Sequence, residues 1–270
     1  MLKQRILTAI PLAAFVLWGL FTQTAEIIFY ALIVVMLISG WEWARLSGIT
    51  NVVLRLFYAL LIAALSYVVQ QWISANLDML NSLLSLSVVF WLYATFHMFS
   101  KGPQPVRSGV SYFKILLGVV VLIPPVIALM HIRQESSLWL FYCLSIIWVA
   151  DIGAYFSGKR FGKNKLAPQL SPGKTREGLY GAVFATALYS YLASIVFELQ
   201  FIETLMLLII AVLTTFISVA GDLFFSLLKR EQNLKDTGRI LPGHGGILDR
   251  IDSVTSSAPL LALLLGLVIF

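Results

Sequence analysis

The sequence has 270 residues, enough for one large or two modest soluble domains, but 59% of them are hydrophobic and only 12% are charged. Soluble globular proteins carry roughly 25% charged residues. This scarcity of charge excludes a soluble enzyme, a disordered chain and a secreted disulfide scaffold. The single cysteine, Cys143, lies in an apolar stretch and is expected to behave as a small hydrophobic residue.

Nine apolar stretches follow one another along the chain, each close to the roughly 20 residues that a helix needs to cross a bilayer. They cover residues 6–21, 25–39, 53–73, 80–99, 115–130, 138–156, 179–197, 204–228 and 253–270. The first resembles the apolar core of a signal peptide, but no small-residue cleavage site follows it, so we expect it to be retained as an anchor. The sequence predicts an all-α polytopic integral membrane protein with about nine transmembrane helices.

The lysines and arginines are distributed unevenly between the two ends of these spans. If successive connections alternate across the membrane, all 19 of these residues except Arg133 fall on the same side. The positive-inside rule then places the N-terminus and these connections in the cytoplasm and the C-terminus outside. The 19 basic residues outnumber the 13 acidic residues. Because membrane topology explains this excess of positive charge, we expect no nucleic acid partner.

The first five spans lie within residues 1–135, have short connections and few ionisable groups, and are expected to form a membrane scaffold. The segment WEWARL, residues 41–46, is expected to lie at the membrane interface, with its tryptophans at headgroup level and Arg45 near lipid phosphates. A substrate role for Glu42 or Arg45 is the alternative.

Residues 136–270 are expected to form a catalytic membrane region, because they contain two long cytoplasmic loops, 157–178 and 229–252, that are dense in Gly, Pro, Lys and Arg. Each loop follows a span with an aspartate near its cytoplasmic end, Asp151 in one and Asp222 in the other. An ionised carboxylate at membrane depth is costly and usually faces protein, a cation or water, so both are candidate functional residues. The alternatives are structural salt bridges to nearby lysines and the ion sites of a cation-coupled transporter.

The loop after Asp151 has the composition of a phosphate-binding segment. On a continuing helix, Tyr155 and Gly158 share with Asp151 a face that opens to the cytoplasm. Residues 171–175, SPGKT, are expected to form a turn whose amides and lysine offer donors and positive charge to phosphate oxygens. A basic loop held against anionic lipid is the alternative. The candidate phosphate-binding residues here are Ser171, Lys174 and Thr175.

The stretch after Asp222 has a second polar helix face. Ser226, Lys229 and Arg230 follow Asp222 at i+4, i+7 and i+8, so a carboxylate, a hydroxyl and two cations extend along one face past the membrane edge. Such a face can hold a divalent cation together with the phosphates that the cation bridges.

Glycines and further carboxylates follow in the same stretch. Gly245 and Gly246, directly after His244, allow a close approach between backbone and ligand. Asp249 and Asp252 share a face if the ninth span has begun, and their hard oxygens suit Mg²⁺. The alternatives are that Asp252 caps the ninth span and that His244 only orients the turn.

Residues 226–252 resemble the signature of the phosphatidate cytidylyltransferase family, also called CDP-diacylglycerol synthases. The resemblance extends loosely to residues 151–178 and to the WEW segment. Arg176, where the family commonly has an aromatic residue, and Ile152, where a small polar residue is usual, depart from the pattern. The sequence supplies every fixed position of the signature: Ser226, Lys229, Arg230, Lys235, Asp236, Gly238, His244, Gly245, Gly246, Asp249, Arg250 and Asp252.

The resemblance implies an enzyme of phospholipid biosynthesis that condenses CTP with phosphatidic acid, giving CDP-diacylglycerol and pyrophosphate, and that requires Mg²⁺. The expected ligands of Mg²⁺, and of any second metal ion, are Asp222 and Asp249, supported by Asp252 and Asp151. Catalytic roles are expected for Asp222, Lys229, Arg230, His244, Asp249 and Arg250. Substrate phosphates are expected to contact Ser171, Lys174, Thr175, Ser226, Lys235, Gly245 and Gly246.

The resemblance also implies a setting for the reaction. We expect the lipid bilayer to supply one substrate, the site to face the cytoplasm from a bacterial inner membrane, and a homodimer to be one possible assembly. Two alternative functions remain: a CTP-dependent kinase acting on a polyprenol or other lipid, which releases CDP, and a cation-coupled transporter with discontinuous, repeated helices.

Overall fold

The structure is a computed structural model that describes residues 2–73, 76–101, 109–240 and 245–270, without the side chains of residues 2–10, 12 and 101. This part of the chain forms nine α-helices and one antiparallel hairpin. The helices are α1 (Leu2–Thr22), α2 (Ala25–Leu46), α3 (Val52–Ile73), α4 (Leu77–Lys101), α5 (Tyr112–Glu135), α6 (Ser137–Phe161), α7 (Arg176–Val196), α8 (Phe201–Glu231) and α9 (Leu248–Val268). The hairpin strands, between α6 and α7, are β1 (Lys165–Ala167) and β2 (Ser171–Thr175).

Eight of the nine helices, α2 to α9, are long and apolar enough to cross a membrane, whereas the described apolar stretch of α1 is the shorter Ala13–Thr22. The prediction of an all-α polytopic membrane fold is confirmed, with the hairpin as an addition. Residues 171–175, predicted to form a turn, are strand β2, in which Thr175 pairs with Lys165 and Ser171 with Ala167.

Helix α5 lies at the centre of the bundle. It is the most buried spanning helix, at 67% of its apolar segment, and α9 follows at 61%. Helices α2, α4 and α8 pack around these two, while α6 and α7 form a pair that joins α8 through α7. The outer helices leave large apolar side chains exposed, such as Phe96 on α4 and Phe184 on α7, as expected for surfaces that face lipid.

Hydroxyl groups and glycine hold the helices close within the apolar region. Ser256 on α9 donates to the carbonyl oxygen of Ile217 on α8 at 2.9 Å, and a side chain at Gly221 would overlap this serine. The hydroxyls of Tyr142 and Ser190 lie 2.7 Å apart between α6 and α7. Interhelical hydrogen bonds of this kind stabilise one packing of helices in lipid.

The even-numbered connections meet at one end of the bundle. Trp43 Nε1, near the end of α2, donates to the carbonyl oxygen of Lys114 at 2.7 Å, and Lys114 Nζ lies 2.9 Å from Glu231 Oε2 at the end of α8. At the opposite end, Arg133 donates to the carbonyl oxygen of Gln23 at 3.0 Å. The chain therefore alternates between two ends, and the side of the membrane that each faces stays a prediction. Four basic residues assigned to the first end lie outside the described side chains: Lys3, Arg5, Lys101 and Arg107.

Most helices extend beyond their predicted spans, and the extensions of α2 and α9 bear on the site. Helix α2 continues through residues 41–46, and Trp43 is fully buried within the protein. The depth of this segment in the membrane stays a prediction. Helix α9 begins at Leu248, so Asp252 lies inside the helix and is not its cap. Hydropathy predicts only the apolar part of a helix. The added turns are stabilised by contacts with distant residues, which hydropathy does not detect.

Candidate active site

Asp249, in the first turn of α9, has hydrogen-bond donors on both carboxylate oxygens. Lys229 Nζ, from the last turn of α8, lies 2.8 Å from Oδ1. Oδ2 accepts from the backbone N–H and the hydroxyl of Thr237, at 2.9 and 3.1 Å, and from the N–H of Gly246 at 3.0 Å. The side chains of Asp249 and Lys229 are only 5% and 13% exposed. This carboxylate therefore ties α8 and α9 to the described residues between them, 232–240 and 245–247, which we call the signature loop.

Glu42, in the last turns of α2, binds the same loop. Its Oε2 accepts from the hydroxyl of Thr237 at 2.8 Å and from the N–H of Leu248 at 2.9 Å, and its Oε1 accepts from the N–H of Ile247 at 3.1 Å. Arg45 adds a bond from Nη1 to the carbonyl oxygen of Thr237 at 3.4 Å. Because α9 has no side-chain cap of its own, a carboxylate from α2 satisfies the free amides at its start.

Two glycines allow the signature loop to approach these carboxylates. Gly245 has a φ of +85°, in the left-handed region that favours glycine. A side chain at Gly246 would overlap the hydroxyl of Thr237 and the carboxylate of Glu42. The close backbone approach predicted for this pair of glycines is therefore made to the protein's own acidic side chains.

Asp222, on α8, faces the hairpin. Lys174 Nζ, on β2, lies 2.6 Å from Oδ2, and Ser226 Oγ donates to Oδ1 at 3.4 Å. The side chains of Lys174 and Asp222 are 25% and 31% exposed, so this ion pair is accessible to solutes. It joins the first of the two long loops to the helix that leads into the second.

Asp151 and Asp252 lie close enough to Asp222 to interact with it electrostatically. Asp252 also accepts the N–H of Ser253 at 2.8 Å. Neighbouring carboxylates repel one another, and a divalent cation that prefers hard oxygen ligands would relieve that repulsion. Among the residues that the structure describes, no three His, Cys, Asp or Glu side chains are grouped as metal ligands.

A cavity of about 360 Å³ lies where α6, β2 and the start of α7 meet. The hydroxyl of Thr175 accepts the N–H of Gly178 at 3.1 Å, which caps α7 at the edge of this cavity. Two lysines and a hydroxyl on its wall give it the charge and the donors to take a phosphate group. The polar and aromatic lining includes Asp151, Tyr155, Lys159, Lys174 and Thr175.

Other predicted site residues lie around this centre. Arg230, Lys235 and Arg250 are exposed, and the charge of Arg250 acts on Asp151. Ser171 begins β2 and is half-buried. His244 lies outside the described residues.

Sequence reasoning missed three contributors to this arrangement. Glu42 was considered for contact with substrate, whereas it binds the signature loop; an acidic residue between two tryptophans at the end of an apolar helix was its only signal. Thr237 lies at a variable position of the signature and gave none. Lys159 follows Gly158 on the same helix face as Asp151. This spacing was sufficient to predict that Lys159 belongs to the site.

Comparison with known proteins identifies the group to which this arrangement belongs. A model of the cytidylyltransferase family matches residues 3–268. The chain belongs to the cytidylyltransferase family. Phosphatidate cytidylyltransferase from Pseudomonas aeruginosa is 37% identical over 270 residues, covering 98% of this chain and 97% of the relative.

Two further relatives have the same name. The protein from Haemophilus influenzae is 33% identical over 286 residues, covering 96% of both chains. The protein from Bacillus subtilis is 42% identical over 141 residues, covering 52% of both. The resemblance, the enzyme class and the integral membrane location predicted from the sequence are confirmed.

Proposed function

We propose that this protein transfers the cytidylyl group of CTP to phosphatidic acid in a Mg²⁺-dependent reaction that releases pyrophosphate, at the cytoplasmic face of a bacterial inner membrane. One observation supports this most strongly: Lys174 of the hairpin forms an ion pair with Asp222 on α8, in a chain that matches the phosphatidate cytidylyltransferase of Pseudomonas aeruginosa over 97% of its length. The homodimer stays a prediction.

The proposed reaction requires that the substrates are positioned and that their negative charge is neutralised. A phosphate oxygen of phosphatidic acid attacks the α-phosphorus of CTP, the bond from that phosphorus to the bridging oxygen breaks, and pyrophosphate leaves with the electron pair. The attacking oxygen is already anionic, so no general base is required. The protein must hold two anions together and stabilise the negative charge that grows on the leaving group.

Lys174 and Lys229 are placed to provide this positive charge. Each ammonium group has three N–H donors and uses one to bind an aspartate, so donors remain for phosphate oxygens. The exposed Arg230, Lys235 and Arg250 add positive charge at the same end of the bundle. These residues attract CTP and phosphatidic acid and oppose the repulsion between them.

The carboxylates provide a place for the metal ion. Asp222, Asp249, Asp252 and Asp151 would hold Mg²⁺, which when bound neutralises charge on the phosphate groups of the substrates. On Asp249, Oδ2 already has three donors while Oδ1 has only Lys229. Oδ1 is therefore the oxygen of this residue that remains available to a cation.

The cavity beside the hairpin gives the lipid a route to the site. Tyr155 lines this cavity and is 60% exposed. A phosphate headgroup can enter between α6 and β2 while the acyl chains stay in the bilayer. Lys159 and Lys174 then lie beside the headgroup.

Pyrophosphate release from the full-length protein in lipid nanodiscs tests this proposal. We expect release to require CTP, phosphatidic acid and Mg²⁺ together, and to stop when any one is omitted. Asp222→Asn should abolish it, whereas Asp78→Asn, an exposed aspartate in the first turn of α4, should leave it unchanged. Release that needs no lipid, or that Asp222→Asn leaves near normal, would overturn the proposal.

A further inference from the structure

The hydroxyl of Thr237 stands between two carboxylates. It lies 2.8 Å from Glu42 Oε2 and 3.1 Å from Asp249 Oδ2, and the residue is 1% exposed. No water competes for these contacts at such a buried position. The position of Asp249 is therefore linked, through one side chain of the signature loop, to a residue about 200 positions earlier in the sequence.

Glu42 is itself buried, at 1% exposure. A carboxylate removed from water is costly unless donors surround it, and an apolar side chain of similar size would fill the same space without that cost. The donors are present: one hydroxyl and the two backbone amides at the start of α9. What the carboxylate adds over an apolar residue is a fixed orientation of these donors.

The signature loop is shaped around this carboxylate. A side chain at Gly238 would overlap Glu42 Oε1, and one at Gly246 would overlap both oxygens of Glu42. Gly238 directly follows Thr237, and Gly246 directly precedes the amides at the start of α9. Together these two glycines leave room for the carboxylate of Glu42. The contact is a specific fit between α2 and the loop.

We propose that Glu42 is a positioning residue of the cytidylyl transfer, acting through Thr237 and the start of α9 to hold Asp249 where the reaction needs it. This inference rests on the proposed function. It assigns the WEW segment a part in the reaction without contact to either substrate.

Glu42→Gln tests the proposal with little change of volume. An amide has one acceptor oxygen, whereas the two oxygens of Glu42 serve three donors, so the variant must place an NH₂ group against a donor. Loss of one such bond to a charged acceptor corresponds to a fall in kcat of about 10- to 100-fold. We expect the Mg²⁺ concentration for half-maximal rate to rise, and KM for phosphatidic acid to stay within about twofold of wild type.

A double-mutant cycle separates positioning from general damage. If Glu42 acts through Thr237, the variant with both Glu42→Gln and Thr237→Val should be no slower than the slower single variant. Thr237→Ser, which keeps the hydroxyl, should restore most of the rate lost in Thr237→Val. Glu26→Gln, at the exposed start of the same helix, should behave as wild type.

Trypsin cleavage after Lys235 and Arg239 reports on the loop without relying on turnover. Both residues are exposed in the signature loop, and cleavage there follows local opening. We expect Glu42→Gln to speed cleavage by about tenfold and Glu26→Gln to leave it unchanged.

The outcomes for Glu42 and for the proposed function can be told apart. Faster cleavage, lower kcat and a shifted Mg²⁺ requirement in Glu42→Gln support the inference. Wild-type cleavage and wild-type kinetics in this variant, or additive losses in the cycle, overturn it. A wild-type protein that makes no pyrophosphate overturns the proposed function instead, and the cleavage rates still decide whether Glu42 holds the loop.

Discussion

The two sides of the candidate site are built differently. On the signature-loop side, the carboxylates of Asp249 and Glu42 are buried and lie within hydrogen-bonding distance of six donor groups from the loop, α8 and α9. The hydroxyl of Thr237 is shared between the two carboxylates. On the hairpin side, Lys174 meets Asp222 through one ion pair that remains partly exposed. The signature-loop side is held in place by contacts with three helices. The other side is a short hairpin that contacts α8 through Lys174.

This difference teaches how a membrane enzyme can combine a fixed site with access for a lipid. Buried, fully bonded carboxylates keep one geometry because moving them would leave polar groups without partners. An exposed ion pair costs little to open. We therefore assign the fixed geometry of the reaction to the signature-loop side and the admission of substrate to the hairpin side.

Removing a charge from the fixed side should have the largest effect. Asp249→Asn leaves Lys229 buried beside a neutral group, so we expect turnover to fall below detection and unfolding free energy to drop by about 3–5 kcal/mol. Pyrophosphate release and thermal unfolding in nanodiscs measure the two effects. Substantial turnover in this variant would contradict the role of Asp249, with Asp78→Asn as the matched control.

The two lysines should separate stability from activity. Lys174→Met opens an exposed pair, so unfolding free energy should change by less than about 1 kcal/mol. Its rate should still fall by about 10- to 100-fold, since a phosphate loses its positive partner. Lys229→Met should lower both quantities strongly. Equal losses of stability in the two variants would remove the distinction between the two sides.

A pair of glycines tests the same distinction through packing alone. Gly246→Ala places a methyl group against Thr237 and Glu42, and should cost about 1–3 kcal/mol of stability. Gly173→Ala, on β2 with no atom within 4 Å of the added carbon, should change stability by less than about 0.5 kcal/mol. Thermal unfolding of both variants decides, and a tolerated Gly246→Ala would show that the loop can move aside.

A small effect is also expected where the hairpin joins α7. Glu177 accepts hydrogen bonds from the backbone N–H groups of Lys163 and Asn164 at 3.1 and 3.2 Å and from Asn164 Nδ2 at 2.7 Å. Because this carboxylate is exposed to solvent, Glu177→Gln should lower both the thermal unfolding midpoint and the rate only slightly. A loss as large as that of Asp249→Asn would mean that the hairpin side is as rigid as the other.

Much of this molecule could be predicted from its sequence. Eight spans and their alternation follow from hydropathy and from the placement of basic residues, because lipid admits few charges. The signature identified Lys229 and Asp249, and the rarity of carboxylates in apolar spans identified Asp222. The structure brings all three to one end of the bundle.

The remaining features depend on contacts between distant parts of the chain. Glu42 binds the signature loop because the end of α2 meets the start of α9, and no local pattern encodes that neighbour. The hairpin likewise forms from three-residue and five-residue strands, too short for a period to be visible. Helix ends were displaced for the same reason, since α9 starts where a carboxylate of α2 caps it.

The fate of each phosphate of CTP tests the central claim most directly. Parallel reactions of the wild-type protein with phosphatidic acid and Mg²⁺ use CTP labelled at the α-phosphate or at the γ-phosphate. We expect the α-label to enter the chloroform-soluble lipid and the γ-label to appear in pyrophosphate. A γ-label in the lipid with release of CDP, as a lipid kinase gives, or no label in the lipid at all, would contradict it.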